Sequence, residues 1–255
     1  MRLLEMASTS RVGKDTSKSS SLTTELIDEL YKTTLERAVH RLNQVENKLV
    51  RMALKLIVCA QAPLTLAGIA DLLNASEEFE TEIETSCVRT ALKLLHSVIS
   101  IPMGGDGVAT TFHASFPDFL FDSRRCGSIN YIPFRQSHQD VARMCLLFMD
   151  KFLTADNISG ADRWQTVDVI IKQEKMEKWM PSALAYACMF WASHIYAKDE
   201  VESLSTELDR FLSHQVLRWL EVLSLLRRLD IGVEVLRRMK EYGHVSAVEQ
   251  PWHLY

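Results

Sequence analysis

The sequence predicts a mainly α-helical protein, in which a winged-helix domain with one small β-hairpin is followed by an α-helical domain of helical hairpins. Three observations lead to this prediction. Apolar residues recur at three- and four-residue spacing along most of the chain, and only 9 glycines and 6 prolines interrupt its 255 residues. Two short β-rich runs also flank one glycine-dense turn in the first half. An apolar fraction of 47% is typical of a folded chain of one or two domains.

Composition and charge exclude several classes of protein. The 29 basic residues are outnumbered by 33 acidic ones, so the net charge of −4 provides no general attraction to nucleic acid or anionic lipid. Five cysteines without close spacing argue against a disulfide framework and favour a reducing compartment, so we expect a cytoplasmic protein. Glu5 interrupts the apolar run that a signal peptide requires, and the longest apolar run, residues 183–192, is too short to cross a membrane.

The first part of the chain is expected to form a leader and a linking helix. Residues 7–21 contain a single large apolar side chain, which is too little to offset the entropy lost on ordering. We therefore expect residues 1–21 to be a disordered leader. Apolar residues then recur every three to five positions, which predicts a linking helix over residues 22–46. The apolar stripe of this helix must pack on another element, and it consists of Leu22, Leu26, Leu30, Leu35, Val39 and Leu42.

Burial and capping signals predict the next two helices. Residues 49–60 are apolar around most of the helix circumference, which indicates a central buried helix. The Thr65 side chain can accept a hydrogen bond from the first turn of a second helix, which runs to Leu73. Leu64 and Ile69 occupy the two positions of a hydrophobic staple around that cap. Both signals place a helix start at Thr65.

A third helix and a β-hairpin complete this unit. Five glutamates at positions 77–84 precede the third helix, which we expect at residues 83–96. Residues 98–101 and 108–112 are β-rich runs joined by the glycine-dense turn, so they are expected to pair as a hairpin. Three helices followed by such a hairpin indicate a winged-helix-like domain, which we place at residues 47–124.

His113 lies at the junction between the second strand and the next helix. Ser115 as the N-cap, Pro117 in the first turn and Asp118 at the third helical position predict a short helix that ends near Asp122. An imidazole beside the free N–H groups of a helix start can donate a hydrogen bond to an anion. His113 is therefore a candidate ligand-binding residue, and a structural hydrogen bond made by the same ring is the alternative.

The second half of the chain is expected to be helical. Residues 124–133 are predicted to form an irregular connection with a short strand at residues 129–132, and we place the domain boundary there. A helical domain at residues 134–245 and a tail at residues 246–255 follow. The apolar spacing predicts helices near residues 134–153, 176–196, 201–212, 216–228 and 231–241.

The sequence contains no complete motif for enzyme chemistry. A phosphate-binding loop needs Ser or Thr directly after its lysine, but Asp15 follows Lys14, and no strand precedes them. No two Cys or His residues have the two- to four-residue spacing of a metal-binding turn, so the cysteines are expected in the core and the histidines mostly at the surface. A nucleophile elbow of the Gly-x-Ser-x-Gly type is also absent from the sequence. We predict a chain without catalytic residues, metal or cofactor.

A winged helix raises the question of DNA binding through its third helix. That helix offers only Arg89 and Lys93 as cations, and the acidic residues at its entrance repel phosphate. The most basic segment, residues 227–240, also contains Asp230 and Glu234 and is expected to be a solvated helix face. We therefore expect the winged helix to pack against protein and not to bind nucleic acid.

Two pairs of segments resemble the region that follows the nucleotide-binding core in fungal NACHT-domain proteins of the STAND class. The first pair is residues 94–102 (LLHSVISIP) and 111–120 (TFHASFPDFL), and the second is residues 184–194 (LAYACMFWASH) and 211–226. The resemblance covers residues 22–240. It implies a signalling NTPase switch, in which a phosphate-loop module binds nucleotide while winged-helix and helical domains hold it closed or transmit its opening. The resemblance matches this chain to the winged-helix and helical domains of such a switch.

The resemblance also gives His113 a specific role. In the wider NACHT and NB-ARC group, a winged-helix histidine at the start of a helix contacts the bound diphosphate, and residues 112–114 (FHA) are similar to that Met-His-Asp motif. This implies that His113 senses nucleotide phosphate, but only when a phosphate-loop module is present. Ala114 departs from the acidic residue of the NB-ARC motif, so the hydrogen bonds made by that acid are not implied here.

These inferences predict a non-enzymatic regulatory or interaction module that packs against a protein partner. The expected partner is a NACHT-type nucleotide-binding module or another domain of a larger chain. One alternative is a winged-helix DNA-binding regulator, which would use Arg89 and Lys93. Another alternative is a truncated gene product without independent function, whose mark would be exposed apolar surface.

Overall fold

The computed structural model describes residues 12–40, 42–101, 103–104, 107–154 and 180–243. The described part is mainly helical and contains one small antiparallel sheet. This confirms the fold class predicted from the sequence, mainly α with a small β-hairpin. The expected tail at residues 246–255 lies outside the described ranges.

Helix α1 spans Val12–Val39, so the expectation of a disordered leader is wrong for residues 12–21. Once part of a helix is packed, each further residue adds a hydrogen bond at little cost, and no proline interrupts this stretch. The burial of the predicted apolar stripe increases from Leu26 to Leu35, and its later members Val39 and Leu42 are half-buried. Leu35 is buried, whereas Leu26 and Leu30 are 73% and 62% exposed.

Tyr31 explains which face of α1 is buried. Its ring packs against Phe116 and Phe119, with ring centroids 5.0 and 5.3 Å away. On the same helix, Asp28 receives two hydrogen bonds of 3.0 and 2.7 Å from the guanidinium of Arg125. Because these partners lie far away in the sequence, the spacing of leucines along α1 did not reveal the packed face.

Helices α2 and α3 begin with side-chain caps. Helix α2 spans Gln44–Cys59 and starts with a reciprocal capping box at Asn43. Helix α3 spans Leu66–Ala75, and Thr65 Oγ1 accepts a hydrogen bond of 2.9 Å from the backbone N–H of Gly68. The cap predicted at Thr65 is confirmed. Such caps satisfy N–H groups that have no partner within the helix.

Helix α4 spans Thr85–Lys93 and is shorter than predicted. At its start, the side-chain amide of Asn74 bonds to both the N–H and the carbonyl oxygen of Ile83, at 2.7 and 3.0 Å. These two bonds hold the backbone of Ile83 outside the helix. At its end, tighter hydrogen-bonded turns continue the chain as far as Val98, whose N–H donates to the carbonyl of Leu95.

The predicted hairpin is present, and a strand that the sequence did not predict joins it. All neighbours are antiparallel, in the order β1-β3-β2. The first strand contains only two residues, so it carries no alternating pattern that a sequence could reveal. The strands are β1 Leu64–Thr65, β2 Ile99–Ser100 and β3 Val108–Thr111.

Two short helices follow the sheet, α5 at Ser115–Leu120 and α6 at Ser123–Asn130. The predicted irregular connection with a strand at residues 129–132 is therefore wrong over most of its length. At the start of α6, the Asp122 side chain accepts the backbone N–H of Arg124 at 3.0 Å and so caps the helix. A kink at Gly127, with φ of 75°, lies within α6, and this glycine disguised the helix in the sequence.

The second half is helical as predicted, with different boundaries. The predicted helix at residues 176–196 becomes α8 followed by a short 3-10 helix, and its first residues lie outside the described ranges. The predicted helix at residues 201–212 is two helices that meet at Leu204. The elements are α7 Phe134–Phe152, α8 Ser182–Phe190, the 3-10 helix Trp191–His194, α9 Lys198–Ser203, α10 Ser205–His214, α11 Val216–Leu225 and α12 Leu229–Glu241.

Helix α7 connects the two halves of the chain. It packs against α2 and α3 on one side and against α8, α10 and the 3-10 helix on the other. The buried apolar side chains form one continuous cluster across these helices. The position of the domain boundary remains a prediction.

Gly232 permits close packing of α12 on α11, which gives a first testable prediction. A Cβ atom at this position would lie 2.8 Å from Leu220 Cδ2 and 3.2 Å from Leu223 Cδ1. We expect Gly232→Val to lower the free energy of unfolding by about 1–3 kcal/mol, because the two helices must separate. Urea unfolding followed by circular dichroism measures this loss. Gly104→Val is the control, since a Cβ there meets nothing within 4 Å.

Candidate functional site

His113 lies in the turn between β3 and α5, and its side chain is exposed. The predicted N-cap at Ser115 is wrong, because Ala114 occupies the cap position and Ser115 is the first helical residue. The imidazole of His113 replaces the missing cap: its Nδ1 accepts the backbone N–H of Ser115 at 3.1 Å. His113 thus makes the structural hydrogen bond that the sequence left as an alternative, through one of its two ring nitrogens.

The turn between β3 and α5, which we call the corner, contains hydrogen bonds that indicate which ring nitrogen of neutral His113 carries the proton. The Ser115 hydroxyl lies 2.7 Å from Nδ1 of His113 and 2.9 Å from the hydroxyl of Tyr31 on α1. With Nδ1 accepting from Ser115, a neutral imidazole carries its proton on Nε2. The second ring nitrogen is then a hydrogen-bond donor on an exposed side chain. This is the form that can bind an anion.

Exposed apolar side chains surround this corner on the sheet side. Phe112, which follows β3 and directly precedes His113, is 63% exposed, and Val108 on β3 is 42% exposed. Asp118 adds a negative charge in the first turn of α5. The corner therefore presents one imidazole donor beside apolar surface, and α5 contributes little positive potential of its own.

A buried cluster of polar side chains was not predicted from the sequence. His138 on α7 and His194 in the 3-10 helix are 3% and 0% exposed, against the expectation of surface histidines. Their Nδ1 atoms are 2.7 Å apart, and the Tyr186 hydroxyl lies 2.9 Å from Nε2 of His194. The backbone N–H of Gln61 donates to the same hydroxyl at 3.1 Å. The cluster joins the segment after α2 to α7 and α8.

Protons can be placed so that every bond in the cluster is satisfied. The Tyr186 hydroxyl accepts from Gln61 and donates to Nε2 of His194, whose Nδ1–H donates to Nδ1 of His138. Both imidazoles are then neutral. The hydrogen bonds are therefore compatible with two uncharged histidines.

Burial opposes charge on this pair. Burial, together with the nearby His138, lowers the pKa of His194 from 6.5 to about 3. Burial also lowers the pKa of His138, although the carboxylate of Glu200 acts in the opposite direction. Glu200 itself accepts the N–H groups of Tyr196 and Ala197 at 2.6 and 3.2 Å. The cluster is a structural connection between helices at neutral pH.

The cysteines largely follow the prediction of core packing. Four are buried and Cys87 is exposed, and none forms a disulfide. Burial raises the pKa of Cys59 to about 12 and also raises the pKa of Cys145 and Cys188. Thiols with such raised pKa values hold little thiolate at neutral pH and are poor nucleophiles.

The surface that would contact DNA offers few cations. Arg89 on α4 donates to the carbonyl oxygen of Gly104 in the hairpin turn at 3.5 Å, whereas Lys93 is exposed. In the basic segment, Arg237 pairs with Glu234 at 2.8 Å, and Arg228 pairs with a neighbouring acid. These pairs neutralise part of the positive charge within the helix that carries it.

Other sequence motifs can also be located. The glycine, lysine, aspartate and threonine at positions 13–16 lie in the first turns of α1, in helical rather than loop backbone. Within the described ranges, no group of three or more His, Cys, Asp or Glu side chains is placed to hold a metal ion. No described helix combines the length and the apolar character that a membrane crossing requires.

Comparison with known proteins gives one distant relationship. The vegetative incompatibility protein HET-E-1 of Podospora anserina is 23% identical over 248 residues, which include 86% of this chain and 17% of HET-E-1. No family model matches the chain, and no solved structure matches it. HET-E-1 is a fungal NACHT/WD-repeat protein, so the match supports a NACHT-related region in this chain. This chain is therefore similar to one part of that fungal protein.

Proposed function

We propose that this chain is the winged-helix and helical part of a NACHT-type signalling switch, and that it acts by packing against a nucleotide-binding module. On this proposal, residues 22–46 link the two modules. Residues 47–124 form the winged-helix domain, and residues 134–245 form the helical domain. The chain itself holds no cofactor and performs no catalysis, and it works in the cytoplasm.

The observation that carries the proposal is the hydrogen bonding of His113. Its Nδ1 is engaged by Ser115, so a proton on Nε2 is presented outward. A nucleotide phosphate brought to this corner by another module can accept that proton in a hydrogen bond. The position of His113 at the start of α5 agrees with the histidine motif of the NACHT and NB-ARC group.

The order of elements supports the winged-helix interpretation. Helix α2, strand β1, helices α3 and α4, and strands β2 and β3 follow one another, and the three strands form one antiparallel sheet. The distant relationship to HET-E-1 supports a signalling context and a protein partner. Exposed cations suited to a DNA groove are few on α4, which favours a protein partner over the DNA-binding alternative.

The proposed mechanism is a difference in packing between nucleotide states. If the chain binds the diphosphate-loaded module more tightly than the triphosphate-loaded one, it shifts the switch toward the closed state by that difference in affinity. Exposed apolar residues such as Leu30 and Phe112 provide area for such packing. Because His113 donates to a nucleotide phosphate, the strength of this packing depends on which nucleotide the module holds.

Affinity measurements with two nucleotide states test the proposal. The NACHT module of HET-E-1 is loaded with ADP or with a non-hydrolysable ATP analogue and titrated with the full chain in a calorimeter. We expect the two dissociation constants to differ by about fivefold or more, the usual lower range of allosteric coupling. His113→Ala is expected to bring their ratio close to one.

His96→Ala is the matched control, because His96 is also an exposed histidine and its Nδ1 bonds to a backbone carbonyl. This variant should retain the wild-type ratio. Equal affinities for both nucleotide states, or no binding to either, would contradict the proposal. A ratio that is unaffected by His113→Ala would remove His113 from the mechanism.

A further inference from the structure

A cavity of about 570 Å³ lies between α1, α2 and the segment that precedes α7. This volume falls within the usual range of small-molecule sites, about 300–1,000 Å³. The apolar part of its wall includes Leu35 from α1, Val50 and Leu54 from α2, and Ile132 from the segment before α7. All four side chains belong to the buried core of the protein. An apolar group in the cavity would therefore contact three separate elements.

The polar edge of the cavity is positive. Lys48, Arg51 and Lys55 from α2 line it, and among the lining residues that the structure describes there is no carboxylate. Lys48 and Lys55 are each 2.6 Å from an acid outside the cavity, Glu78 and Asp140 respectively. The cavity thus combines an apolar wall with cations on one edge.

Arg51 differs from the two lysines in its partners. Its guanidinium donates to Asn47 Oδ1 at 2.7 Å and to the backbone carbonyl of Ile129. Both acceptors are neutral, so within the described ranges these bonds hold the group in place without neutralising its charge. The Nη2 group makes neither of these two bonds, so a guanidinium fixed in this way can donate from Nη2 to a carboxylate.

We propose that this cavity binds a small molecule with one carboxylate on an apolar body. The apolar body packs against the wall formed by Leu35, Val50 and Ile132, and the carboxylate pairs with Arg51. A volume of about 570 Å³ suits such a molecule better than a folded protein partner. Since the ligand contacts both α1 and α2, it favours conformations in which these two helices keep their present arrangement. This inference does not depend on the role of His113.

Binding of decanoate to the full chain, measured by calorimetry, tests the proposal. Decanoate carries one carboxylate on an apolar chain. The alcohol 1-decanol has the same chain without a charge, and decyltrimethylammonium has the chain with a positive charge. We expect saturable binding of decanoate that is about threefold to tenfold tighter than that of 1-decanol, with the cation weaker still. Arg51→Gln should abolish the preference for decanoate over 1-decanol.

A second variant tests the apolar wall without altering the deep core. Val39 lines the cavity and is only half-buried, so Val39→Trp should narrow the cavity and abolish binding of both decanoate and 1-decanol. Lys151→Gln removes a surface cation that pairs with Glu77 and does not line the cavity, and it should bind decanoate as the wild type does. The proposal is overturned if the wild type shows no saturable binding, or if decyltrimethylammonium binds as tightly as decanoate. It is also overturned if Arg51→Gln retains the full preference for decanoate.

Discussion

Replacing Trp219 with alanine is expected to lower the free energy of unfolding by about 3–5 kcal/mol, which is a large part of the stability of a typical domain. Trp219 is completely buried on α11, and its ring lies 5.4 Å from that of Phe211 and 6.2 Å from that of Trp191. The indole Nε1–H also donates to the carbonyl oxygen of Cys188 at 2.8 Å. The substitution leaves a cavity and removes the indole donor from the carbonyl oxygen of Cys188.

Urea unfolding followed by circular dichroism measures this loss of stability. A second variant at the same position separates packing from hydrogen bonding, and an exposed residue on the same helix provides a control. Trp219→Phe keeps aromatic area but removes the donor, so we expect a smaller loss than for alanine. Leu217→Ala on the same helix changes a side chain that is 65% exposed and should cost less than about 0.5 kcal/mol. A loss of less than about 1 kcal/mol for Trp219→Ala would show that this aromatic cluster does not hold α8, α10 and α11 together.

Mild acid is expected to destabilise the protein through the buried histidine pair. The pKa of His194 is about 3 in the folded chain and 6.5 in the unfolded chain, so the unfolded state takes up the proton first as the pH falls. The contribution of His194 is complete above pH 6.5 and is lost as the pH falls toward 3. One group with this shift loses about 1.4 kcal/mol for each pH unit in that window. We therefore expect a loss of about 2 kcal/mol between pH 6.5 and 5.

His138 adds to this loss, because its pKa is lowered as well. Free energies of unfolding measured from pH 7.5 to pH 5 test the expectation. His194→Gln should be less stable at pH 7.5, since it disturbs the bond to Tyr186, but its stability should change less with pH. His96→Gln removes an exposed histidine and should keep the wild-type pH dependence. An equal pH dependence in His194→Gln and the wild type would refute a neutral buried pair.

Local sequence signals predicted the fold correctly where both partners of a hydrogen bond lie in one short segment. The Thr65 cap and the α3 helix are examples, because the cap oxygen and the N–H that it accepts are three residues apart. The start of α6 also has such a local cap at Asp122, but Gly127 concealed the helix that follows. A glycine within a short polar helix favours the prediction of a turn.

Long-range contacts were not predictable from spacing. His138 and His194 are 56 residues apart in the sequence, and no pattern within either segment indicates that their ring nitrogens meet. The same applies to Asp28 and Arg125, which are 97 residues apart and determine how α1 lies on α6. The sequence did single out His113, since its position beside a helix start is a local property. The bond from Ser115 to Nδ1 was visible only in the structure.

The central claim, that this chain packs on a nucleotide-binding module with His113 at the nucleotide, is tested most directly by a structure of the complex. Electron cryomicroscopy of the full chain bound to the ADP-loaded NACHT module of HET-E-1 would locate the diphosphate. We predict that Nε2 of His113 lies within about 3.2 Å of a phosphate oxygen. A complex in which the nucleotide contacts no residue of this chain would contradict the claim.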